Sequence, residues 1–578
     1  MVTTTRRRGE RVYHAHLLMR SYREGGKVRK ESLANLTPLG DDIVALIRAA
    51  LKGKQVRVIE DTFGTRESRP HGQVLAVLTA MRRLGLERLL ASRPSRQRSL
   101  ALALIAKQLL APSSKLATSR SWTHSTLASE LGVQGASEDE LYAAMDWLVV
   151  RQRRIEAKLA KRHLKDGELV LYDVTSSYVE GDHCELAAFG HNRDKKKGKR
   201  QVTWGLMTDG EGRPVAVEAF MGNTSDVSTL LSQVRKAKDR FGLSEFVLIG
   251  DRGMISGRHI DAFRAAAESA GAAEDAEDLS GVTWVTAVKS AGIRALVSDG
   301  TLQPSLFEKT NLLSFTHPAY PGERLIACYN PLMAAERARK REELLSATLE
   351  DLQGIEGSVK KGRLKDATKI ALRAGKVIGK HKMQKHIKLS IDQASFAFEV
   401  NHESVAAEKA LDGIYILRTS APEDKLADAQ VVLAYKDLPK VERAFRTLKS
   451  VAAQVRPIRH RLSDRVRAHL LLCMLAYYVR WHMERAWASL TFKDEDPETE
   501  RDPIAPAKRS PEAQRKAHYK TLENGEPTDS FDTLLASLQT IVRNTHYLPE
   551  APDATFTTTT EPNTRQRRAL DLLDTITV

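Results

Sequence analysis

The sequence predicts a mixed α/β (α+β) fold, a mixed sheet with flanking helices, preceded by a helical region and interrupted by an insertion. Three observations carry this. Between Glu168 and Val288 the elements run β-β-β-α-β-α-β, a hairpin meander followed by crossovers. Upstream, residues 71–164 carry apolar positions at helical spacing. Downstream, residues 290–410 break the strand pattern, and Lys360–Lys388 within them is dense in lysine.

Taken in order, residues 10–34 read as a small β element, with alternation over Val12–Leu17 and a Gly25-Gly26 turn. A short helix follows at about 40–53. In the helical block, Gln73–Arg83, Ser99–Leu110 and Glu138–Leu159 have the clearest periodicity, and Ser137-Glu-Asp-Glu140 has the form of a capping signal. The block serves either as a DNA-binding module or as a scaffold packed on the next domain.

Strands then begin. Glu168–Val174 is the first. Gln201–Met207 and Pro214–Phe220 flank an Asp209-Gly-Glu-Gly212 turn. Thr224–Phe241 reads as a helix starting at Ser225 or Asp226. Phe246–Gly250 is a continuous apolar run, as in a strand buried on both faces. Gly257–Ala272 is helical and Val282–Val288 is a fifth strand. Within 290–410, Asn330–Gln353 reads as a charged helix, and strand-like pieces return at Ala397–Val400 and Gly413–Arg418. Last come a helix carrying Glu442, a long helix from about Asp464 to Trp487, and a tail in which Thr557–Thr560 reads as loose and Arg565–Leu573 as helical.

Lysine and arginine number 90 against 73 aspartates and glutamates, a net charge of +17. That favours a polyanion, nucleic acid before membrane. Cys184, Cys328 and Cys473 are far apart and form no CxxC pair, so neither a disulfide framework nor a cysteine zinc site is expected. Met1–Arg8 has no apolar signal-peptide core, and the apolar run Leu470–Val479 is too short to span a bilayer. Low aromatic content, 6%, together with the basic charge, disfavours a carbohydrate-cleaving carboxylate pair.

Two apolar runs end in aspartate, Leu-Val-Leu-Tyr-Asp173 and Phe-Val-Leu-Ile-Gly-Asp251. Each alone reads equally as a turn former or helix cap. A strand end is nonetheless a rigid platform opening into a crevice, and hard cations take oxygen ligands. Farther on, Val441, Ala444, Phe445 and Leu448 form an apolar helix stripe, while Glu442, Arg446 and Lys449 share another face. That face is either a solvated one with a Glu–Arg pair or a metal ligand beside two phosphate clamps. Asp437 is placed to cap this helix, with Pro439 in its first turn and Tyr435 just before it. Arg193, Lys195, Lys196, Lys197, Lys199 and Arg200 lie between the first two strands, as a solvated loop or a DNA contact. The lysines from Lys376 to Lys388, with His381 and His386, read as a basic patch.

Together these motifs resemble the DDE transposases of bacterial insertion sequences, with their ribonuclease-H-like core. The likeness is to the group whose third carboxylate lies in a Tyr-x2-Arg-x3-Glu-x6-Lys signature, here Tyr435, Glu442 and Lys449. Leu438 stands in the arginine slot, leaving its phosphate role to Arg443 or Arg446. Asp173-Val-Thr-Ser-Ser-Tyr, Gly250-Asp251-Arg-Gly-Met-Ile and Gly222-Asn-Thr-Ser-Asp226 also fit, over about residues 165–480.

The resemblance implies that Asp173, Asp251 and Glu442 hold two Mg²⁺ ions, with Mn²⁺ as a substitute. It implies phosphodiester hydrolysis and strand transfer at the ends of an insertion sequence. DNA contacts would come from Tyr435, Arg443, Arg446, Lys449, Arg193, Lys195, Lys196, Lys197 and Arg200. The expected partners are double-stranded DNA, as terminal inverted repeats and target, and a second copy in a synaptic homodimer, in the bacterial cytoplasm on the nucleoid. A ribonuclease-H-like nuclease without strand transfer, and a catalytically inactive transposase-derived DNA-binding protein, are the alternatives. The expected divisions are an amino-terminal β/α element (1–65), the helical region (66–165), the first part of the core (166–290), a basic insertion domain (291–410), the rest of the core (411–487) and a tail with a dimerisation role (488–578).

Overall fold

A computed structural model of the chain describes residues 1–8, 11–54, 62–268, 279–307, 310–450, 454–497 and 501–577. The chain divides into two compact units: residues 1–70 with 541–561, and residues 71–540 with 562–578.

In the first unit, strands β1 (Val2–Arg8), β2 (Arg11–Glu24) and β3 (Lys27–Asn35) form an antiparallel sheet. Gly25 and Gly26 both adopt positive φ between β2 and β3, which is what glycine allows in so tight a turn. The expected short helix spans Gly40–Leu51, and buried His16 ties it to β2 through a 2.8 Å contact with Asp41. A second sheet joins β4 (Gly64–Pro70) to two strands from the far end of the chain, Val542–Leu548 and Ala551–Thr559. Thr557–Thr559 is therefore paired strand rather than loose tail, because Arg543, Asn544 and Thr545 supply a ladder edge that only the fold brings near.

The second unit is built on an eight-stranded sheet. Its strands in chain order are β5 (Leu169–Tyr178), β6 (Gln201–Asp209), β7 (Pro214–Phe220), β8 (Phe246–Ile249), β9 (Val282–Ala287), β10 (Leu312–Phe315), β11 (Arg324–Tyr329) and β12 (Ile414–Thr419). In space they run β10-β11-β12-β9-β8-β5-β6-β7. β8 pairs in parallel with both β5 and β9, and the remaining pairs are antiparallel. The whole of β8 is buried, as its unbroken apolar run requires. Asp209 closes the β6–β7 hairpin by accepting the N–H groups of Glu211 and Arg213.

Several boundaries differ from the sequence expectation. β5 continues to Tyr178, so Asp173 lies inside a strand and not at its end. The parallel pairing with β8 stops at Leu171, and beyond it the ladder partner of β5 within the sheet is β6. The insertion is also shorter than 291–410, because β10 and β11 belong to the sheet. What leaves the sheet is a pair of helices, Pro331–Lys360 and Ala367–His381, with a two-stranded ribbon, Ile387–Asp392 and Ser395–Val400. These close over an apolar core of their own that includes Leu352, Ile370 and Phe396. His386 is buried there, bonded to Ser404 and Glu408, and Lys380 and His381 pair with Asp351; they are not free members of a basic patch. The helix expected over 257–272 spans Gly257–Glu268, and its last expected residues lie outside the described ones.

Residues 72–163 are helical, as their periodicity predicts, and Ser137 and Glu140 form a reciprocal capping box. The expected helix 138–159 is two helices, broken at Val150-Arg151. The helix Ser463–Ala486 is apolar nearly all round and is buried accordingly, packed against Arg96–Leu110, Glu138–Val149 and β7. Among the described residues no helix is long and apolar enough to cross a membrane.

Candidate functional site

Where β5 runs past the end of β8, a cavity of about 530 Å³ opens. Asp173, Asp251 and Glu442 line it together, although 191 and 78 residues separate them along the chain (442 − 251 and 251 − 173). Asp173 projects from β5, Asp251 follows β8 in a turn that returns its carbonyl to Met254 N–H, and Glu442 lies on the helix Pro439–Lys449. That helix buries the expected stripe of Val441, Ala444, Phe445 and Leu448, with Phe445 edge-on to Trp204 of β6 at 5.0 Å. Burying that stripe exposes Glu442, Arg443 and Arg446. Arg446 lines the cavity; Arg443 is not part of its wall.

The electrostatics are unequal. Burial, reinforced by the neighbouring charges of Asp251 and Glu442, pushes the Asp173 carboxyl up to about 7, against the opposing pull of the Val174 N–H and Arg193. Tyr435 lies in the preceding helix, Asp428–Lys436, where burial and the nearby charge of Asp251 push the phenol up to about 12. Tyr435 thus stands near a site carboxylate. Asp437 does not cap the Glu442 helix. Its carboxylate is taken by Lys440 and Arg501, Leu438 occupies the cap position, and Leu438 is buried.

Lys449 is the largest departure from expectation. It is not a free phosphate clamp: its side chain is 10% exposed and donates to the Ser176 carbonyl and, at 3.0 Å, to Asp194. Asp194, 1% exposed, also takes Arg456 and accepts the Tyr178 N–H at 3.0 Å. Burial lowers the Lys449 ammonium, and Asp194 opposes that. Arg193 turns into the cavity and pairs with Asp226 at the start of the helix Asp226–Arg235. Lys195, Lys196, Lys197 and Arg200 remain exposed, with Lys196 over the Tyr178 ring and Arg200 bonded to the Asp182 carbonyl.

Asp194, Asp226 and Arg456 were not singled out from the sequence as site residues, yet all three line the cavity. For Asp194 a signal existed: it is the one acid in the run Arg193–Arg200. Gly205 gives the site room from behind. A Cβ there would stand 2.7 Å from the Tyr172 ring, and Tyr172 is the residue beside Asp173.

The donor set suits a hard cation, being oxygen only and carried on rigid elements. Among the described residues no group of three or more His, Cys, Asp or Glu side chains is arranged to hold a metal ion, Asp173, Asp251 and Glu442 included.

Residues 1–61 match the model of the IS1634 family transposase N-terminal domain. Comparison with curated proteins gave no match. Among solved structures, a piggyBac transposase synaptic complex with hairpin DNA aligns with 10% identity and a TM-score of 0.33, covering 81% of this chain and 76% of that one.

Proposed function

We propose that the protein is a DNA transposase that hydrolyses and rejoins phosphodiester bonds at the ends of an insertion sequence. The observation that carries this reading is the convergence of Asp173, Asp251 and Glu442 on one cavity beside the exposed Arg446. The similarity of residues 1–61 to a transposase domain supports it independently. So does the meander β5-β6-β7 continued by parallel strands β8 and β9, the arrangement expected of a ribonuclease-H-like core.

Asp173, Asp251 and Glu442 would hold two Mg²⁺ ions, or Mn²⁺, which supply charge stabilisation at the attacking and leaving oxygens. The protein's own groups do the positioning. Arg446 presents a planar fork suited to a phosphate. Lys449, held by the Ser176 carbonyl and Asp194, ties the Glu442 helix to β5, and Arg456 reaches the same Asp194. Lys195, Lys196, Lys197 and Arg200 are exposed, where the DNA backbone could meet them.

The test is cleavage of a duplex ending in the inverted repeat that flanks the parent gene, with and without Mg²⁺. Asp173→Asn, Asp251→Asn and Glu442→Gln should each abolish cleavage and leave DNA binding largely intact. Full activity in any one would remove that residue from the site. Cleaved ends that never join target DNA would reduce the reading to a nuclease.

A further inference from the structure

The proposed chemistry leaves the first unit without a role, and its sheet has an unusual end. β1 pairs with β2 only as far as Leu17, whereas β2 and β3 stay paired to Glu24 and Lys27. From Met19 to Ser32 the sheet is therefore a two-stranded ribbon with the Gly25-Gly26 turn at its tip. Each strand covers roughly 20 Å at the usual rise per residue. Past Met19 every ribbon residue is exposed, and Val28 is 60% exposed. A hairpin with no buried face does not serve a core.

Its charges are sorted by face. Alternation along the strands puts Arg20, Tyr22, Glu24, Lys27, Arg29 and Glu31 on one side. There the acids are already used, Glu31 with Arg20 at 3.2 Å and Glu24 with Arg29 at 2.9 Å. The other side carries Arg23 and Lys30 with Ser21 and Ser32, and no acid. Among the described residues neither Arg23 nor Lys30 is in an ion pair.

We infer that this ribbon is a duplex-DNA-binding element that enters the major groove with its Arg23–Lys30 face toward the phosphates. The B-form major groove, about 12 Å wide, admits a two-stranded ribbon. The major groove of A-form RNA is too narrow and deep to do so. Arg23 and Lys30 neutralise phosphates, while Ser21 and Ser32 on the same face are short enough to approach base edges.

The inference rests on the DNA-acting reading above but not on its chemistry, so the measurement is binding of the full chain to a short duplex DNA of arbitrary sequence without divalent metal. Arg23→Ala/Lys30→Ala should flatten the slope of log K against log salt by about 1.8, two phosphate contacts at about 0.9 each. The wild-type protein would then lose about tenfold more affinity than the variant between about 50 and 200 mM salt. Arg23→Lys/Lys30→Arg should keep the wild-type slope, and Arg20→Ala/Arg29→Ala should change it less. An unchanged slope in Arg23→Ala/Lys30→Ala, equal losses from both faces, or equally tight binding of duplex RNA would overturn the inference. So would a variant that alters sedimentation without DNA and leaves DNA affinity alone, which would make the ribbon a contact between copies. A protein that binds in this way but never cleaves would refute the transposase reading and leave the ribbon's role standing.

Discussion

Lys449 lines the cavity while its ammonium is held by Asp194 and the Ser176 carbonyl. Its place on the Glu442 face follows from helical spacing alone, but its partner, Asp194, lies 255 residues away, so only the fold reveals the pair. Because both side chains are buried, Lys449→Ala should act first on stability, lowering it by about 2–4 kcal/mol in a denaturant titration, with the salt dependence of DNA binding little changed. Loss of DNA affinity at unaltered stability would return Lys449 to the phosphate role. Gly205 makes the complementary point. Gly205→Ala should cost about 1–3 kcal/mol through the clash with Tyr172 and should lower cleavage by displacing neighbouring Asp173. Asp251, for its part, stood out because an apolar run leads into it, and that run is a strand buried from end to end.

At the scale of elements, legibility tracked locality. The capping box at Ser137 is written within four residues and is present, and Ser137→Ala should cost the helix Glu138–Val149 about 1 kcal/mol, measurable by thermal unfolding. The Glu442 helix is equally local, since its apolar stripe alone decides which side turns outward. β10 and β11 escaped because they span only Leu312–Phe315 and Arg324–Tyr329, and a short apolar run does not state which sheet it joins. The length of β5 was likewise hidden: Ser176 and Ser177 look like a turn in sequence and are buried strand in the fold, where Ser177 accepts the Trp204 indole N–H. Thr557–Thr559 failed for the same reason, its partner strand being identifiable only once the two ends of the chain are brought together.

Across the second unit, buried histidines set the response to acid. His163 and His482 pack around Tyr478, and burial together with nearby arginines lowers them to about 4 and about 3. Unfolded, each would take a proton near 6.5. Folding is therefore favoured by these groups above that value, and their contribution is lost progressively as pH falls from about 6.5 toward about 4 for His163 and about 3 for His482. Melting temperature should drop over that interval, and His482→Leu should make the drop shallower; an identical pH profile in the variant would remove His482 from the account.

The buried helix Ser463–Ala486 also fixes when the unit can close during synthesis. His163 bonds to Tyr478 across 315 residues, and the helices around Leu100 and Leu141 complete their core against the same segment. A ribosome adding about 5–20 residues per second reaches that segment roughly 15–60 s after it has made His163. For that interval the faces of the amino-terminal helices that meet this segment are uncovered, and truncation before residue 463 should yield a protease-sensitive, aggregating product.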